Sequence, residues 1–264
     1  AAELTEAELI AAESATATLP ALFRLDGQVA IVTGAYRGMG QAMAAALAGA
    51  GADVAVIIRT GDPAETVDAI AATGRRSIVI RADVGDEGAA DQIVAQVKEG
   101  LGTPSILINN AGTIRRVAAE KATRAEFEEV FDVNLFGAWA LTRAAGREML
   151  ANGYGKIIQI ASLLSFQGGV NVSSYAASKH AVAGLTKALA NEWAARGVNV
   201  NAIAPGEIDT TILSPGTTET IVPHIPMHRL GTPDEVAKII YVLCTETSSY
   251  VNGAEIHING GQHV

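Results

Sequence analysis

The sequence predicts an α/β fold, a doubly wound parallel sheet of about seven strands with helices on both faces. From Gln28 onward, short Val/Ile-rich runs alternate with longer Ala-rich amphipathic runs. The short runs are continuously apolar, which is typical of strands buried on both faces. Strands separated by helices run parallel, because each helical crossover returns the chain to the end of the sheet at which the preceding strand began. The 264 residues provide enough chain for such a core.

Each element is predicted from its own run of residues. The strands are QVAIVTG (28–34), ADVAVII (52–58), SIVIRAD (77–83), SILINNAG (105–112), KIIQIAS (156–162), VNVNAIAPG (198–206) and EIHI (255–258). The helices are predicted at about 39–50, 62–73, 86–100, 123–150, 174–196 and 232–246. No linker interrupts the alternation, so residues 25–264 are predicted to form a single domain.

Two segments fall outside this alternation. Residues 1–24 are predicted to be an N-terminal extension, in which Thr5 and Glu8 have capping-box spacing. A short helix and a frayed tail are equally compatible with that extension. Residues 207–230 contain three prolines and many threonines without periodicity, and they are predicted to be a long mobile substrate loop or lid.

Composition excludes several classes of partner. The net charge is −9 and no Lys/Arg cluster is present, which argues against nucleic acid and anionic membranes. No apolar run approaches the roughly 18 residues that a membrane span needs. A lone Cys244 without a charged and apolar leader predicts a cytoplasmic protein. No metal site is predicted.

The segment TGAYRGMG (33–40) joins the first predicted strand to the first helix. Gly34, Gly38 and Gly40 would allow a sharp turn and a close approach of a pyrophosphate to the helix N-terminus. The spacing differs from the usual Gly-x-Gly-x-x-Gly fingerprint, so an ordinary strand-to-helix turn remains the alternative.

Tyr175 and Lys179 are four residues apart in a predicted helix, so their side chains lie on one face. A cation beside a phenol favours the phenolate and is expected to lower the pKa of the phenol. The pair could therefore serve as a proton donor. The same spacing also occurs by chance in many helices.

Six blocks together resemble the short-chain dehydrogenase/reductase family: TGAYRGMG, NNAG (109–112), DVNLFG around Asn134, Ser162, YAASK (175–179) and APGEIDT (204–210). The resemblance covers residues 25–264 with every block in order. It implies a Rossmann-like fold and an NAD(P)-dependent oxidoreductase that interconverts a ketone and a secondary alcohol. A non-catalytic dinucleotide sensor would lack a reason to keep all of these residues.

The same resemblance implies roles for individual residues. Tyr175 would be the acid/base, Lys179 would lower its pKa and bind the cofactor ribose, Ser162 would orient the substrate oxygen, and Asn134 would hold a water in the proton relay. Asn109 would steady the sheet beside the cofactor. The implied cofactor-binding residues are Gly34, Tyr36, Arg37, Gly38, Met39, Gly40, Arg59, Asp83, Val84, Asn110, Ala111, Gly112, Tyr175, Lys179, Pro205, Gly206, Ile208 and Thr210. Tyr36 and Asn259 depart from the family pattern, which more often has a small or polar residue and an Asp.

The choice of nucleotide depends on two cations. A 2′-phosphate favours an Arg after the second strand, where an NAD enzyme places a carboxylate. Arg59 stands at that point and Arg37 lies in the glycine loop, so NADP(H) is favoured. Asp62 is only three residues from Arg59, and NAD(H) remains the alternative.

Four blocks resemble the sugar-acid branch of the family, whose members act on gluconate, deoxygluconate, keto-deoxygluconate or uronates. They are GTIRR (112–116), IASLLSFQGG (160–169), ANEWA (190–194) and SYVNG (249–253). Arg115 and Arg116 could receive a carboxylate, or they could be rim charges. Ser162, Gln167 and Tyr175 are further candidates for substrate contact, as are His180, His224 and His228. The alternative is a broad-specificity or 3-oxoacyl-type carbonyl reductase.

The quaternary structure is predicted from the two long helices at about 123–150 and 174–196. Both contain enough Ala and Leu to bury one face against another copy. The resemblance implies that these helices pair between subunits, so a homotetramer or homodimer is expected.

Overall fold

The computed structural model describes residues 19–210 and 217–262. Seven parallel strands form one sheet in the order β3-β2-β1-β4-β5-β6-β7. This confirms the predicted Rossmann-like fold, in which the strand order reverses between β1 and β4. The strands are β1 (Val29–Thr33), β2 (Asp53–Ile58), β3 (Ser77–Arg81), β4 (Ile106–Asn109), β5 (Gly155–Ile160), β6 (Val198–Pro205) and β7 (Glu255–Ile258).

Helices cover both faces of the sheet. They are α1 (Gly38–Ala50), α2 (Ala64–Ala71), α3 (Ala89–Gly100), α4 (Arg124–Phe131), α5 (Ala138–Asn152), α6 (Ser173–Trp193) and α7 (Pro233–Leu243), with short helices at Leu19–Leu22 and Thr217–Ile221. Each predicted helix therefore has a counterpart, and most boundaries agree within about three residues. The α7 N-terminus is closed by a capping box formed by Thr232 and Glu235.

The hydrophobic core consists of two layers, one on each face of the sheet. Ala30 and Val32 of β1 pack with α1 and α7 in one cluster. Val29 and Ile31 of the same strand pack with α3, α5 and α6 in the other. Because successive strand residues point to opposite faces, both sets must be apolar. This explains why the runs of the central strands β1 and β2 lack an alternating pattern.

The single helix predicted at 123–150 is interrupted. Asp132–Gly137 forms a π-helical segment between α4 and α5, so this stretch is three consecutive helical segments. The carbonyl oxygen of Val84 lies where a side chain on Gly137 would begin, 2.5 Å from an ideal Cβ. The segment therefore packs closely against the turn that follows β3, and it includes Asn134.

The substrate loop predicted at 207–230 has more regular structure than its sequence indicates. Thr217–Ile221 is helical and Val222–His224 forms a 3₁₀ turn, which corrects the expectation of an aperiodic loop. Ile208 also forms an isolated parallel bridge with Gly231. Short polar turns of this kind have too few residues to show a helical period.

Part of the predicted N-terminal extension lies against the domain. The Tyr241 hydroxyl of α7 donates a 2.8 Å hydrogen bond to the carbonyl of Phe23, and the two rings are 6.5 Å apart. The predicted capping box at Thr5 and Glu8 lies outside the described residues. The domain boundary at residue 25 stays a prediction.

Candidate active site

A cleft of about 620 Å³ opens at the carboxyl ends of the strands. Open parallel sheets bind ligands there, beside the point where the strand order reverses. Most of the predicted site residues line this cleft: Gly34, Tyr36, Arg37, Gly38, Met39, Gly40, Asn110, Ala111, Gly112, Arg116, Ser162, Gln167, Tyr175, Lys179, Pro205, Gly206, Ile208 and Thr210. The lining does not include Asn134, Arg59, Asp83, Val84 or Arg115.

The glycine loop forms one end of the cleft. Gly34 and Gly38 have φ values of 65° and 57°, a region that residues with a side chain rarely adopt. An ideal Cβ on Gly40 would lie 2.3 Å from the carbonyl oxygen of Gly34. Arg37 caps α1 without a side-chain hydrogen bond to the helix, so the first N–H groups are left for an anion. This cradle fits the pyrophosphate of a dinucleotide.

Thr33 links β1 to the segment that follows β4, a role that the sequence did not reveal. Its hydroxyl accepts hydrogen bonds from the backbone N–H groups of Asn110 and Ala111, at 2.9 and 2.8 Å. The Asn110 side chain donates in turn to the Thr33 carbonyl at 2.8 Å. The floor of the cleft between the two strands is therefore fixed by side-chain hydrogen bonds.

Asn109 lies beneath this floor and is buried. Its amide donates to the Thr142 hydroxyl at 2.8 Å and to the Ala138 carbonyl at 3.2 Å. Thr142 also accepts a hydrogen bond from Gln159. Asn109 thus joins β4 to α5, as expected of a residue that steadies the sheet.

Lys179 projects from α6 toward the end of β5. Its ammonium donates a 2.6 Å hydrogen bond to the carbonyl of Ile160 and lies 5.6 Å from the centre of the Tyr175 ring. Burial lowers the pKa of Lys179 to about 8, because desolvation disfavours the charged form. The two side chains share one face of α6, as their spacing predicts.

The pKa of Tyr175 differs from the expectation of a depressed value. Burial raises it, and this effect outweighs a hydrogen bond from Ser162, which lowers it. Glu207 also raises the pKa and Arg116 lowers it, through their charges. In the protein without cofactor, desolvation decides the direction, and Tyr175 holds its proton more firmly than a phenol in water.

Ser162 lies in a short turn that is tied to α6. Its hydroxyl accepts a 3.1 Å hydrogen bond from the Leu164 N–H. The Ser165 hydroxyl accepts from the Ser162 N–H at 3.2 Å and donates to the Lys179 carbonyl at 2.9 Å. Ser165 therefore positions Ser162 relative to Lys179. The sequence offered no signal for this contact, because a serine in a turn is common.

Asn134 is buried in the π-helical segment, behind the cleft. Its side-chain oxygen accepts from the Thr113 N–H at 2.8 Å, and its amide donates to the Thr113 carbonyl and the Ser178 hydroxyl. The side chain thus binds protein groups on both sides and joins β4 to α6. Its expected part in holding a water stays a prediction.

The two cations that favour NADP(H) occupy different surroundings. Arg37 lines the cleft, and its guanidinium lies 4.8 Å from the centre of the Tyr36 ring. Arg59 is exposed and forms a 3.2 Å ion pair with Asp83 outside the cleft lining. Asp83 also accepts the Gly85 N–H at 3.0 Å, which is the turn-forming arrangement of an Asp at a strand end. Val84 packs on the core.

The structure separates the two arginines that sequence could not distinguish. Arg115 forms an exposed ion pair with Glu129 and is not part of the cleft lining. Arg116 lines the cleft together with Gln167. The three histidines do not line it: the His180 ring is bonded to the Ala176 carbonyl, whereas His224 and His228 are exposed. Glu207 lines the cleft but was not singled out from the sequence.

Within residues 19–210 and 217–262, no helix is long and apolar enough to cross a membrane.

Comparison with known proteins decides the family. A family model described as enoyl-(acyl carrier protein) reductase matches residues 34–263. The 2-dehydro-3-deoxy-D-gluconate 5-dehydrogenase of Bacillus subtilis is 45% identical over 244 residues, which are 90% of this chain and 96% of that protein. The chain belongs to the short-chain dehydrogenase/reductase family. As a member of that family it is an oxidoreductase.

Two further relatives of this short-chain dehydrogenase/reductase bear on its substrate and cofactor. A crystal structure of a candidate 2-deoxy-D-gluconate 3-dehydrogenase from Agrobacterium tumefaciens, with bound NADP, has a TM-score of 0.86 and is 43% identical. The match covers 93% of this chain and 99% of that chain. The 3-oxoacyl-(acyl-carrier-protein) reductase of Aquifex aeolicus is 35% identical and covers 90% of this chain and 98% of that protein.

Proposed function

We propose that this protein is an NADP(H)-dependent oxidoreductase that interconverts a ketone and a secondary alcohol on a sugar acid of gluconate, keto-deoxygluconate or deoxy-uronate type. One observation carries the proposal. A single cleft is lined by the glycine cradle at one end, by Ser162, Tyr175 and Lys179 along its wall, and by Arg116. These are the groups needed to bind a dinucleotide, move a proton and receive a carboxylate.

In the proposed reaction the bound nicotinamide supplies or accepts the hydride. Tyr175 gives its phenolic proton to the carbonyl oxygen in the reductive direction and removes it from the alcohol in reverse. Burial keeps the phenol protonated, so it begins reduction in the form that can donate. Ser162 orients the substrate oxygen beside Tyr175, and Ser165 holds the Ser162 turn against α6.

Lys179 has two proposed duties, to bind the cofactor ribose and to stabilise the phenolate that forms as the proton leaves. Its hydrogen bond to the Ile160 carbonyl fixes the ammonium beside the cleft. A desolvated cation interacts more strongly with a nearby anion than a solvated one does. The ammonium would therefore act mainly after proton transfer has begun.

The preference for NADP(H) is supported by Arg37 and Arg59. Arg37 lies in the cleft lining beside the glycine cradle, where a guanidinium could bind a 2′-phosphate. Arg59 follows β2 and would have to leave its exposed ion pair with Asp83 to do the same. The Agrobacterium tumefaciens relative with bound NADP supports this preference.

The sugar-acid substrate is supported by the Bacillus subtilis and Agrobacterium tumefaciens relatives, which are named as dehydrogenases of sugar acids. Arg116 in the cleft lining suits a substrate carboxylate. The second candidate is a 3-oxoacyl-type reductase, which the Aquifex aeolicus relative favours at lower identity. Leu163, Leu164 and Val172 of the lining could contact an acyl chain, whereas Arg116, Gln167 and Glu207 of the same lining offer polar groups to a sugar acid.

We also propose a homotetramer or homodimer formed through the α4–α5 surface. Three large aromatic side chains are exposed there: Phe127 at 37%, Phe136 at 53% and Trp139 at 42%. Apolar patches of this kind commonly mark subunit interfaces. A cytoplasmic location is part of the proposal and is supported by Cys244, a free and buried thiol.

The experiment is a substrate panel with the purified protein. Keto sugar acids, neutral ketoses and 3-oxoacyl thioesters are each offered with NADPH and with NADH, and the absorbance of the reduced nicotinamide is followed. We expect the highest kcat/KM for a keto sugar acid with NADPH. A thioester that is reduced faster than every sugar acid would favour the second candidate.

A further inference from the structure

A carboxylate lines the cleft that contains the proposed reacting groups. Glu207 follows β6 directly and lines the same cleft as Tyr175, Ser162 and Arg116. It is partly buried, and its charge raises the pKa of Tyr175. Glu207 and Tyr175 therefore belong to one cleft, and the charge of the carboxylate acts on the phenol.

The backbone fixes Glu207 in this position. The Gly206 N–H donates to the Ile258 carbonyl, and the Glu207 carbonyl accepts from the Gly231 N–H, both at 3.0 Å. An ideal Cβ on Gly206 would lie 2.8 Å from the Cβ of Asn259, so the chain on that side is closely packed. Glu207 therefore begins from a rigid strand end that is braced by β7 and by the segment before α7.

Among residues 19–210 and 217–262, the Glu207 carboxylate has no cation in ion-pair contact. Burial raises its pKa, and the charge of Arg116 opposes that effect. Within the described ranges, however, neither residue belongs to a salt bridge of 4 Å or less. Arg115 by contrast is occupied by Glu129. Arg116 and Glu207 thus present a cation and an anion to a ligand, in addition to Arg37 and Lys179 of the same lining.

We propose that Glu207 is a specificity-determining residue that accepts a hydrogen bond from a substrate hydroxyl close to the reacting carbonyl, while Arg116 binds the substrate carboxylate. This rests on the proposed function, because it assigns the two ends of a sugar acid to two side chains. An ionised carboxylate only accepts hydrogen bonds, and a sugar hydroxyl can donate one. Such charge-assisted bonds are among the strong ones.

The same arrangement selects against other ketones. A substrate with hydrogen or an alkyl chain in place of the hydroxyl would displace water from Glu207 and leave the carboxylate unpaired. Sites built to bind a hydroxyl reject analogues that lack it far more strongly than apolar pockets reject an added group. Glu207 would therefore discriminate between polyhydroxylated keto acids and acyl ketones.

The test compares two substrates in four proteins. The substrates are a hydroxylated keto acid and its analogue with hydrogen replacing the hydroxyl beside the ketone, both with the same carboxylate. The proteins are wild type, Glu207→Leu, Glu207→Gln and the control Glu99→Leu, which removes an exposed charge from α3. The ratio of the two kcat/KM values is measured with saturating NADPH.

We expect the wild type to prefer the hydroxylated substrate by roughly 100-fold or more, in line with known hydroxyl recognition. Glu207→Leu should reduce this ratio to less than about tenfold by losing activity on the hydroxylated substrate only. Glu207→Gln, which keeps an acceptor oxygen without the charge, should be intermediate, and Glu99→Leu should match the wild type. Gln is nearly isosteric with Glu. If the Leu variant does not fold, the ratio of kcat/KM values in Glu207→Gln provides the test.

The outcomes separate this inference from the function on which it rests. If the wild type reduces both keto acids and the Glu207 variants keep its ratio, the assignment of Glu207 is overturned while the sugar-acid function stands. If the wild type reduces neither keto acid, the proposed function fails, and the assignment fails with it. Fluorescence of bound NADPH, measured in each variant, shows that the cofactor site is unchanged.

Discussion

Lys179 donates its 2.6 Å hydrogen bond to the carbonyl of Ile160, the last residue of β5. The ammonium is therefore anchored to the sheet, and Tyr175 lies beside it rather than bonded to it. The hydrogen bond to β5 and the shared helix α6 therefore both fix the distance between the Lys179 ammonium and the Tyr175 ring. A change at either residue should consequently show which property, proton transfer or charge, each one contributes.

Replacing Tyr175 with Phe removes the phenolic oxygen and little else. We expect kcat to fall by roughly 10²–10⁴-fold, the usual contribution of a positioned acid. NADPH binding should be almost unchanged, which fluorescence titration would show. A kcat close to that of the wild type would mean that another group delivers the proton.

Lys179 should make the stability of the cofactor-free protein depend on pH. Its pKa is about 8 in the folded protein and is lowered from 10.5 by desolvation. Between pH 8 and 10.5 the lysine is protonated in the unfolded chain and largely neutral in the folded protein. The free energy of unfolding therefore increases as the pH rises through this range. Below pH 8 the burial cost is complete, and it amounts to roughly 3 kcal/mol for such a shift.

The variant Lys179→Met removes that titration. Its stability relative to the wild type should be highest near pH 7 and should decline as the pH is raised from 8 toward 10. Urea unfolding of both proteins across this range measures the difference directly. A difference that does not change with pH would contradict a depressed lysine pKa. Separately, the variant should lose turnover and cofactor affinity.

Thr33 should matter for cofactor binding although it was not predicted to. Thr33→Val leaves the Ala111 N–H without its acceptor, whereas the Asn110 N–H keeps a 3.1 Å hydrogen bond to the Ile108 carbonyl. An unsatisfied buried donor costs about 1–3 kcal/mol. We expect a lower melting temperature and a higher KM for NADPH. Thr33→Ser keeps the hydroxyl and should restore both values. Failure of serine to rescue would point to the methyl group instead.

The nucleotide preference should depend more on Arg37 than on Arg59. Both arginines are exposed, but Arg37 lines the cleft, whereas Arg59 is paired with Asp83 outside the lining. If both bind the 2′-phosphate, each contact contributes on the order of 1.5–3 kcal/mol and the wild type prefers NADPH at least tenfold. Arg37→Ala should then reduce the ratio of kcat/KM values more than Arg59→Ala, and Arg59→Asp should reverse the preference.

Measurements with both reduced cofactors give that ratio for each protein. Arg124→Ala serves as the matched control, because it removes an exposed arginine that is paired with Glu128 far along the chain from the glycine loop. A wild type that prefers NADH would show that neither guanidinium reaches the ribose.

The aromatic surface of α4 and α5 should hold subunits together. Phe136→Glu and Trp139→Glu place charges among side chains that are exposed in one chain but would be buried between copies. Light scattering should return a dimer or tetramer of 27.2 kDa chains for the wild type and smaller species for these variants. Val79→Glu, an exposed apolar residue of β3, should leave the mass unchanged. A monomeric wild type at micromolar concentration would refute the interface.

The sequence anticipated what depends on local pattern. Short Val/Ile-rich runs specified the strands of the sheet, and the spacing of Tyr175 and Lys179 specified a shared helix face. It could not anticipate the π-helical segment around Asn134. A π-helix differs from an α-helix in the spacing of its backbone hydrogen bonds, and amino-acid composition does not reveal that spacing. Nor could it distinguish Arg115 from Arg116, since adjacent residues after a strand have no fixed period.

The remaining differences arise from contacts between distant parts of the chain. Ser165, Thr33 and Glu207 are ordinary residues in turns and strand ends. Only the folded arrangement bonds Ser165 and Thr33 to the cleft residues Lys179 and Ala111 and places Glu207 in the cleft lining. The pKa of Tyr175 also rose where a neighbouring cation suggested a decrease. Desolvation depends on everything packed around a group, which spacing along one helix does not describe.

The strand order has a practical consequence for redesign. The glycine cradle, Arg37 and Arg59 follow β1 and β2 on one side of the reversal, whereas Ser162, Tyr175 and Glu207 belong to the β5–β6 side. Arg37 and Arg59 interact with Tyr36 and Asp83, whereas Glu207 interacts with Tyr175 and Arg116. Substitutions at these three positions share no partner and are expected to combine additively. Residues that select the coenzyme and a residue that selects the substrate can therefore be varied in separate libraries and then recombined.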